Sequence, residues 1–228
     1  MALASWWRGD VLPLLAPLPH LAVSASYAPP LLARLAHGDE ADLATRLDDG
    51  HRPYVAWLGA IPVAYGWVAT RSATVGELDL TLVLPPSDRY LWDVATLPGW
   101  RGRGIYPRLL QAILAAEAPG PERFWIIHAP ENRASAAGIA TAGFAPVVEL
   151  SVQAAGGVGL AALGPPERVD AAAALVGVPP LAAAHAALAP CWRCASGDAR
   201  PGCAGAGLSC WPPPPAGSEW PCRCIAGA

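Results

Sequence analysis

The sequence predicts a mixed α/β domain, and three observations carry that expectation. Apolar residues recur at helical spacing over positions 29–47, runs rich in β-branched and aromatic residues fill positions 54–97, and helix-type and strand-type segments alternate over 105–152.

The elements follow in order. Leu31, Leu32 and Leu35, then Leu43 and Leu47, lie at helical spacing in two short helices over 29–36 and 40–47, parted by the breaker His37-Gly38-Asp39. Positions 54–58 and 63–69 read as a hairpin, because the glycine and proline of 59–62 can turn. Over 77–84, Leu78, Leu80 and Leu82 alternate with Glu77, Asp79 and Thr81, the pattern of a strand with one wet face. Positions 90–97 make a further strand. The clearest helix covers 105–118, with Ile105, Leu109, Ile113 and Ala116 on one face and Pro119-Gly120 as its stop. A short apolar run over 124–128, ending in His128, suits a buried central strand. A small-residue helix over 134–142 stops at Gly143, and 147–152 gives a last strand.

At 228 residues the chain has room for one domain with a large appendage or for two small domains. A net charge of -3 and a charged share of 14% leave no broad basic field of the kind a phosphate backbone demands, so no nucleic-acid partner is expected. All fifteen cations are arginine, which reads as the bias of a GC-rich coding sequence rather than as a functional device. Near the start, Pro13, Pro17 and Pro19 break each apolar stretch short of the roughly twenty residues that a membrane span needs. Asp10 and the same prolines also spoil the signal-peptide-like pattern after Arg8. The expectation is a cytoplasmic protein, monomer or homodimer, with no membrane partner.

The most informative stretch is TLPGWRGRGIYPRLL, Thr96 to Leu110. A strand that enters a glycine-rich loop and then a helix points free backbone N–H groups and the positive end of the helix dipole at one spot, which suits a phosphate. Gly102 and Gly104 let an anion approach the backbone, Arg101 and Arg103 add charge, and Pro107 fits the first helical turn. The same kind of turn also serves tight packing alone. The loop is neither a P-loop nor a dinucleotide fingerprint.

The run LWDVATLPGWRGRGIYPRLL resembles the acyl-CoA-binding motif of the GNAT superfamily of N-acetyltransferases, with Arg101, Gly102, Arg103, Gly104, Ile105 and Tyr106 in the loop. Tyr106 departs from the small residue that ends the family's pattern. A second element agrees: Asn132-Arg133-Ala134-Ser135 followed by Gly143-Phe144 is similar to the family's later motif, at the family's spacing. The resemblance covers roughly residues 20–155. It implies a mostly antiparallel central sheet flanked by helices, with acetyl-CoA as co-substrate and an amine as acceptor. It implies that the backbone of Val94, Ala95 and Thr96 takes the pantetheine arm, that positions 101–106 take the pyrophosphate, and that Asn132 lines the cofactor or acceptor channel.

Acetyl transfer to an amine needs a base to deprotonate an ammonium of pKa about 10, a donor for the oxyanion and an acid for the departing thiolate. The family often supplies that acid as a Tyr seven residues after the motif Asn, but Ile139 stands there. Tyr106, beside the cradle, is a conceivable substitute. Base candidates are His128, at the end of the apolar strand, and Asp93, on the strand beside the cofactor. His128 can equally be a structural hydrogen-bonding residue, Asp93 a loop anchor, and Glu77 with Asp79 a solvated face. Trp57, Trp67, Trp92, Trp100 and Trp125 can wall an acceptor site or fill the core.

The expected domain is 1–155, with an extra strand as far as about 163; Gly, Ala and Pro then dominate an extension over 164–228. Short helices over 166–175 and 181–188 are conceivable. All six cysteines fall between Cys191 and Cys224, and Cys191, Cys194, Cys203 and Cys210 are candidate ligands of one zinc ion, with Cys222 and Cys224 as further sulfurs. A disulfide-linked appendage and a disordered or frame-shifted tail are the other readings. The function expected is transfer of acetyl from acetyl-CoA to a primary amine of a small molecule or protein. A non-catalytic CoA-binding or sensory module, suggested by the absent tyrosine, and a metal-binding interaction protein acting through its tail are the alternatives.

Overall fold

The computed structural model describes residues 1–153 and 157–181. Fifteen elements run in chain order: β1 (Ala2–Trp7), β2 (Leu21–Ala25), α1 (Pro29–Ala36), α2 (Glu40–Asp48), β3 (Arg52–Leu58), β4 (Ile61–Ala69), β5 (Ser72–Val75), β6 (Leu80–Val83), β7 (Asp88–Thr96), α3 (Ile105–Glu117), β8 (Arg123–His128), α4 (Arg133–Thr141), β9 (Ala145–Val152), β10 (Val158–Ala162) and α5 (Pro166–Val176). Eight strands form one sheet in the order β10-β9-β1-β8-β7-β4-β3-β2, while β5 and β6 pair separately. Only β7 and β8 run parallel; the other neighbours in the large sheet are antiparallel. This is the mixed, mostly antiparallel fold that the sequence led us to expect.

One face of the sheet carries α3, whose Ile105, Leu109, Leu110, Ile113 and Leu114 are buried with Ala64, Val68, Leu91, Phe124 and Ile126. The other face carries Leu32, Leu35 and Leu43 of α1 and α2 over Val55, Tyr65 and Trp67. Beside them Val169, Ala172, Leu175 and Val176 of α5 join Leu80 and Leu82 of β6 over Leu3, Tyr90 and Trp125. At the far end of α3 the buried Glu117 carboxylate accepts hydrogen bonds from Arg52 (2.8 Å), Arg89 (3.1 Å) and the Tyr54 hydroxyl (2.7 Å). Three groups from the sheet thus pin the helix at its C-terminus, which fixes where its N-terminus points.

Several expectations are corrected. The first residues, for which the sequence suggested no element, form β1, which lies between β8 and β9 and pairs with β8 from Ala2↔His128 to Trp7↔Arg123. Leu21–Ala25, also unread, is the edge strand β2. The single strand expected over 77–84 is interrupted: Gly76–Leu78 makes a 3-10 turn, Asp79 takes a left-handed φ of 47°, and only Leu80–Val83 is strand. The helix conceived over 166–175 is α5, which packs into the core, and past it the Leu181 amide donates to Leu160 O at 2.7 Å. The helix conceived over 181–188, beyond Leu181, and all six cysteines lie outside the described residues. Among the described residues no helix is long and apolar enough to cross a membrane.

Candidate functional site

The site begins where β7 and β8 part. Their pairing runs from Asp88↔Arg123 to Leu91↔Ile126 and ends there, although β7 continues to Thr96. On its other side β7 stays paired with β4, but the register shifts between Tyr65 and Trp67. Asp93 occupies this bulge with a left-handed φ of 46°, and Trp92 and Asp93 both turn toward the α2 face. Gly66 on β4 admits the bulge, since a Cβ there would stand 3.0 Å from Val94 Cγ2. Beyond it the Leu97 amide donates to Val63 O at 2.9 Å, so strand alternation turns the backbone groups of Ala95 toward β4 and those of Val94 and Thr96 toward the open side. Of the three residues expected to offer free backbone, Ala95 is therefore the one engaged with its neighbour.

The loop from β7 to α3 passes through a 3-10 turn at Pro98–Trp100 and reaches Ile105 through Gly102 (φ 76°) and Gly104 (φ 67°). Among the described residues no backbone acceptor takes the amides of Gly102, Arg103 or Gly104. A Cβ on Gly102 would meet nothing within 4 Å, so the space above the loop is open. Arg101 donates from Nε to Thr96 O (3.2 Å), and the Arg103 guanidinium lies 4.7 Å from the centre of the Trp100 ring. Arg108, one turn into α3, donates to Gly104 O at 2.6 Å. Unpaired amides at the start of a thirteen-residue helix, next to exposed arginines, fit an anionic diphosphate.

Past the loop, the gap between the strands opens into a cavity of about 410 Å³. Tyr106, Asn132 and Ser135 line it from α3, α4 and the loop before α4, Asp93, Val94 and His128 from the parted strands, and Thr74 and Glu77 from β5 and the turn after it. The structure thus brings Asp93, Val94, Tyr106, His128 and Asn132 into one cavity, with Thr96 and positions 101–105 leading into it. Asn132 also caps α4, its Oδ1 accepting from the Ser135 amide at 3.0 Å. The Tyr106 hydroxyl sits 3.1 Å from Ser135 Oγ; burial pushes its pKa up, against the opposing pull of that hydrogen bond. The ring of Tyr106 has this place because α4 carries Gly138 there: a Cβ on Gly138 would come within 2.6 Å of Tyr106 Cδ1. Ile139, at the position of the missing tyrosine, is buried in the core.

His128 is half-buried, with Nδ1 3.0 Å from Ala129 O. The Asp93 carboxylate is already engaged: Arg46 of α2 approaches to 2.6 Å, and the Tyr65 hydroxyl donates at 3.4 Å. On the other side of Trp92 a smaller cavity of about 230 Å³ is lined by Arg46, Asp49, His51, Ser72, Ala73 and Thr74. Burial lowers the pKa of His51, with Asp49 opposing and Arg46 reinforcing the shift. Of the tryptophans, Trp67 and Trp125 are wholly buried core residues, whereas Trp92 borders both cavities. Sequence reasoning did not single out Thr74, Gly138 or Arg46, and named Ser135 only within the motif; a glycine inside a short helix was the one local signal on offer. Among the described residues no group of three or more His, Cys, Asp or Glu side chains could hold a metal ion.

The site is a parted parallel strand pair with unpaired loop amides at its mouth, set in a mixed, mostly antiparallel sheet. The chain belongs to the acetyltransferase (GNAT) family, whose model matches residues 21–144. No curated protein matches it. Among solved structures it is similar to a GCN5-related N-acetyltransferase from Kribbella flavida (14% identity, 64% of this chain and 53% of that one, TM-score 0.41). A putative GNAT-family acetyltransferase from Novosphingobium aromaticivorans matches at 16% identity over 64% and 59%, TM-score 0.45. AAC(6')-Iy, in complex with a CoA-based bisubstrate analog, matches at 18% over 55% and 91%, TM-score 0.42. The chain spans about half the length of the Kribbella protein.

Proposed function

We propose that this protein is a cytoplasmic N-acetyltransferase that moves acetyl from acetyl-CoA to a primary amine. The observation that carries the reading is the set of unpaired amides at Gly102, Arg103 and Gly104 at the mouth of the strand split. In this reading those amides and the start of α3 hold the diphosphate, and the open backbone of Val94 and the amide of Thr96 guide the pantetheine arm toward the cavity.

The acceptor enters on the side lined by Thr74 and Glu77. His128 takes the ammonium proton, directly or through water, because it lines the cavity and Asp93 is tied to Arg46. The neutral amine attacks the thioester carbon, an open-side amide of β7 receives the oxyanion, and the C–S bond breaks as the carbonyl re-forms. Tyr106 gives its hydroxyl proton to the departing thiolate, and the proton that the nitrogen sheds on becoming an amide returns through water to the tyrosinate. Burial keeps the hydroxyl proton in place at neutral pH, and Ser135 aims the hydroxyl.

The test is release of CoA thiol from acetyl-CoA across a panel of primary amines. Turnover with any of them supports the enzyme; tight acetyl-CoA binding with no turnover on any would favour a binding module instead.

A further inference from the structure

Arg46 lies on α2, outside both the cradle and the main cavity, yet it contacts the point where β7 bends. Its guanidinium stands 2.6 Å from the Asp93 carboxylate, 4.5 Å from the centre of the Trp92 ring and 5.3 Å from that of Trp67. Trp92 and Trp67 face each other across β7 and β4, next to the register shift. One side chain from the helix layer therefore grips both strands at the bulge. The grip matters there because β8 has already left: beyond Leu91↔Ile126 no strand among the described residues pairs with β7 on that side. Asp93 is also held at a left-handed φ of 46°, a conformation that a residue with a Cβ adopts at a cost unless its surroundings impose it.

We infer that Arg46 and Asp93 form a latch that fixes the β7 bulge and so positions the open backbone of Val94 and the amide of Thr96 for the pantetheine arm. The inference rests on the reading of this cleft as an acetyl-CoA site. Release of the latch lets β7 relax toward regular strand, and a one-residue change of register turns the wrong backbone groups and side chains to the open side. Asp93 is then a positioning residue, and its carboxylate acts through the backbone rather than on the amine.

The test compares two probes by calorimetry: CoA, which meets both cradle and strand, and 3′-phospho-ADP, its nucleotide fragment without the pantetheine arm. Wild type should bind CoA more tightly than the fragment, and failure to bind either probe would strike at the acetyl-CoA reading itself. In Arg46→Gln, CoA affinity should fall about tenfold, the equivalent of one or two lost backbone hydrogen bonds, while affinity for the fragment stays the same. Arg46→Lys should recover much of the loss. Asp93→Asn should keep the preference for CoA better than Asp93→Ala, because Asn accepts the left-handed region and Ala does not. Equal losses for both probes, no change in Arg46→Gln, or equal effects of Asn and Ala at position 93 would overturn the latch.

Discussion

Gly138→Ala tests how Tyr106 is held. The new Cβ would stand 2.6 Å from Tyr106 Cδ1, 3.2 Å from Cε1 and 3.5 Å from Cγ, so the ring must withdraw by about 1 Å to reach ordinary contact. Overpacking of that size costs about 2 kcal/mol. Alanine for glycine inside a helix returns about 1 kcal/mol. The net loss of about 1 kcal/mol lowers Tm by about 3 °C in a domain of this size. The larger effect is on turnover, since the displaced ring carries the hydroxyl off Ser135 Oγ, now 3.1 Å away. Thermal melts and CoA-release rates measure the two effects separately. Adding Tyr106→Ala to the Gly138→Ala variant should relieve the clash and recover the helix gain without restoring activity. A Gly138→Ala protein that melts higher than wild type and turns over at the same rate would refute the reasoning, by showing that the ring has room to move and that its position does not matter.

Three further outcomes are expected. Tyr106→Phe keeps the packing against Gly138 but removes the proton donor, and should slow CoA release about a hundredfold with acetyl-CoA affinity retained; an unchanged rate would assign the acid elsewhere. Glu117→Gln leaves Arg89 and Arg52 without their carboxylate at the base of α3, and because Glu117 is wholly buried it should cost about 3 kcal/mol, seen as a drop in Tm of roughly 10 °C. Asp10 shows a pH effect: burial pushes its pKa up, but the Arg168 hydrogen bond at 2.6 Å, the Trp7 amide and the Arg168 charge outweigh it and hold it below the ordinary 3.8. Its folded pKa is depressed, so the stabilisation is present above that ordinary value and is lost as pH falls through the folded one. Wild type should therefore be more stable than Asp10→Asn at neutral pH, and the gap should close in acid melts below about pH 4.

Much of the framework was legible because local pattern and tertiary role agree. Ile105, Leu109 and Ile113 mark the α3 face that is in fact buried, and the glycines of the loop sit where positive φ is needed. β1 was not legible: ALASWW shows no clean alternation, and its partners lie more than a hundred residues away, so only long-range pairing makes it a strand. The bulge at Asp93 left no glycine or proline in β7 as a signal; its partner Arg46 comes from an element about fifty residues earlier, and the room for it comes from Gly66 on β4. Tyr106 was named beside the loop from the sequence, but the room its ring occupies over Gly138 of α4 was not legible there. Both cases depend on contacts between elements, to which sequence periodicity is blind.

The most direct measurement is an NMR titration of the labelled protein with CoA, following the backbone amides of the loop. Large downfield shifts at Gly102, Arg103 and Gly104, saturating together with binding, are what an amide cradle for the diphosphate requires. Saturation by CoA with those three resonances unmoved would place the nucleotide elsewhere and contradict the account at its base.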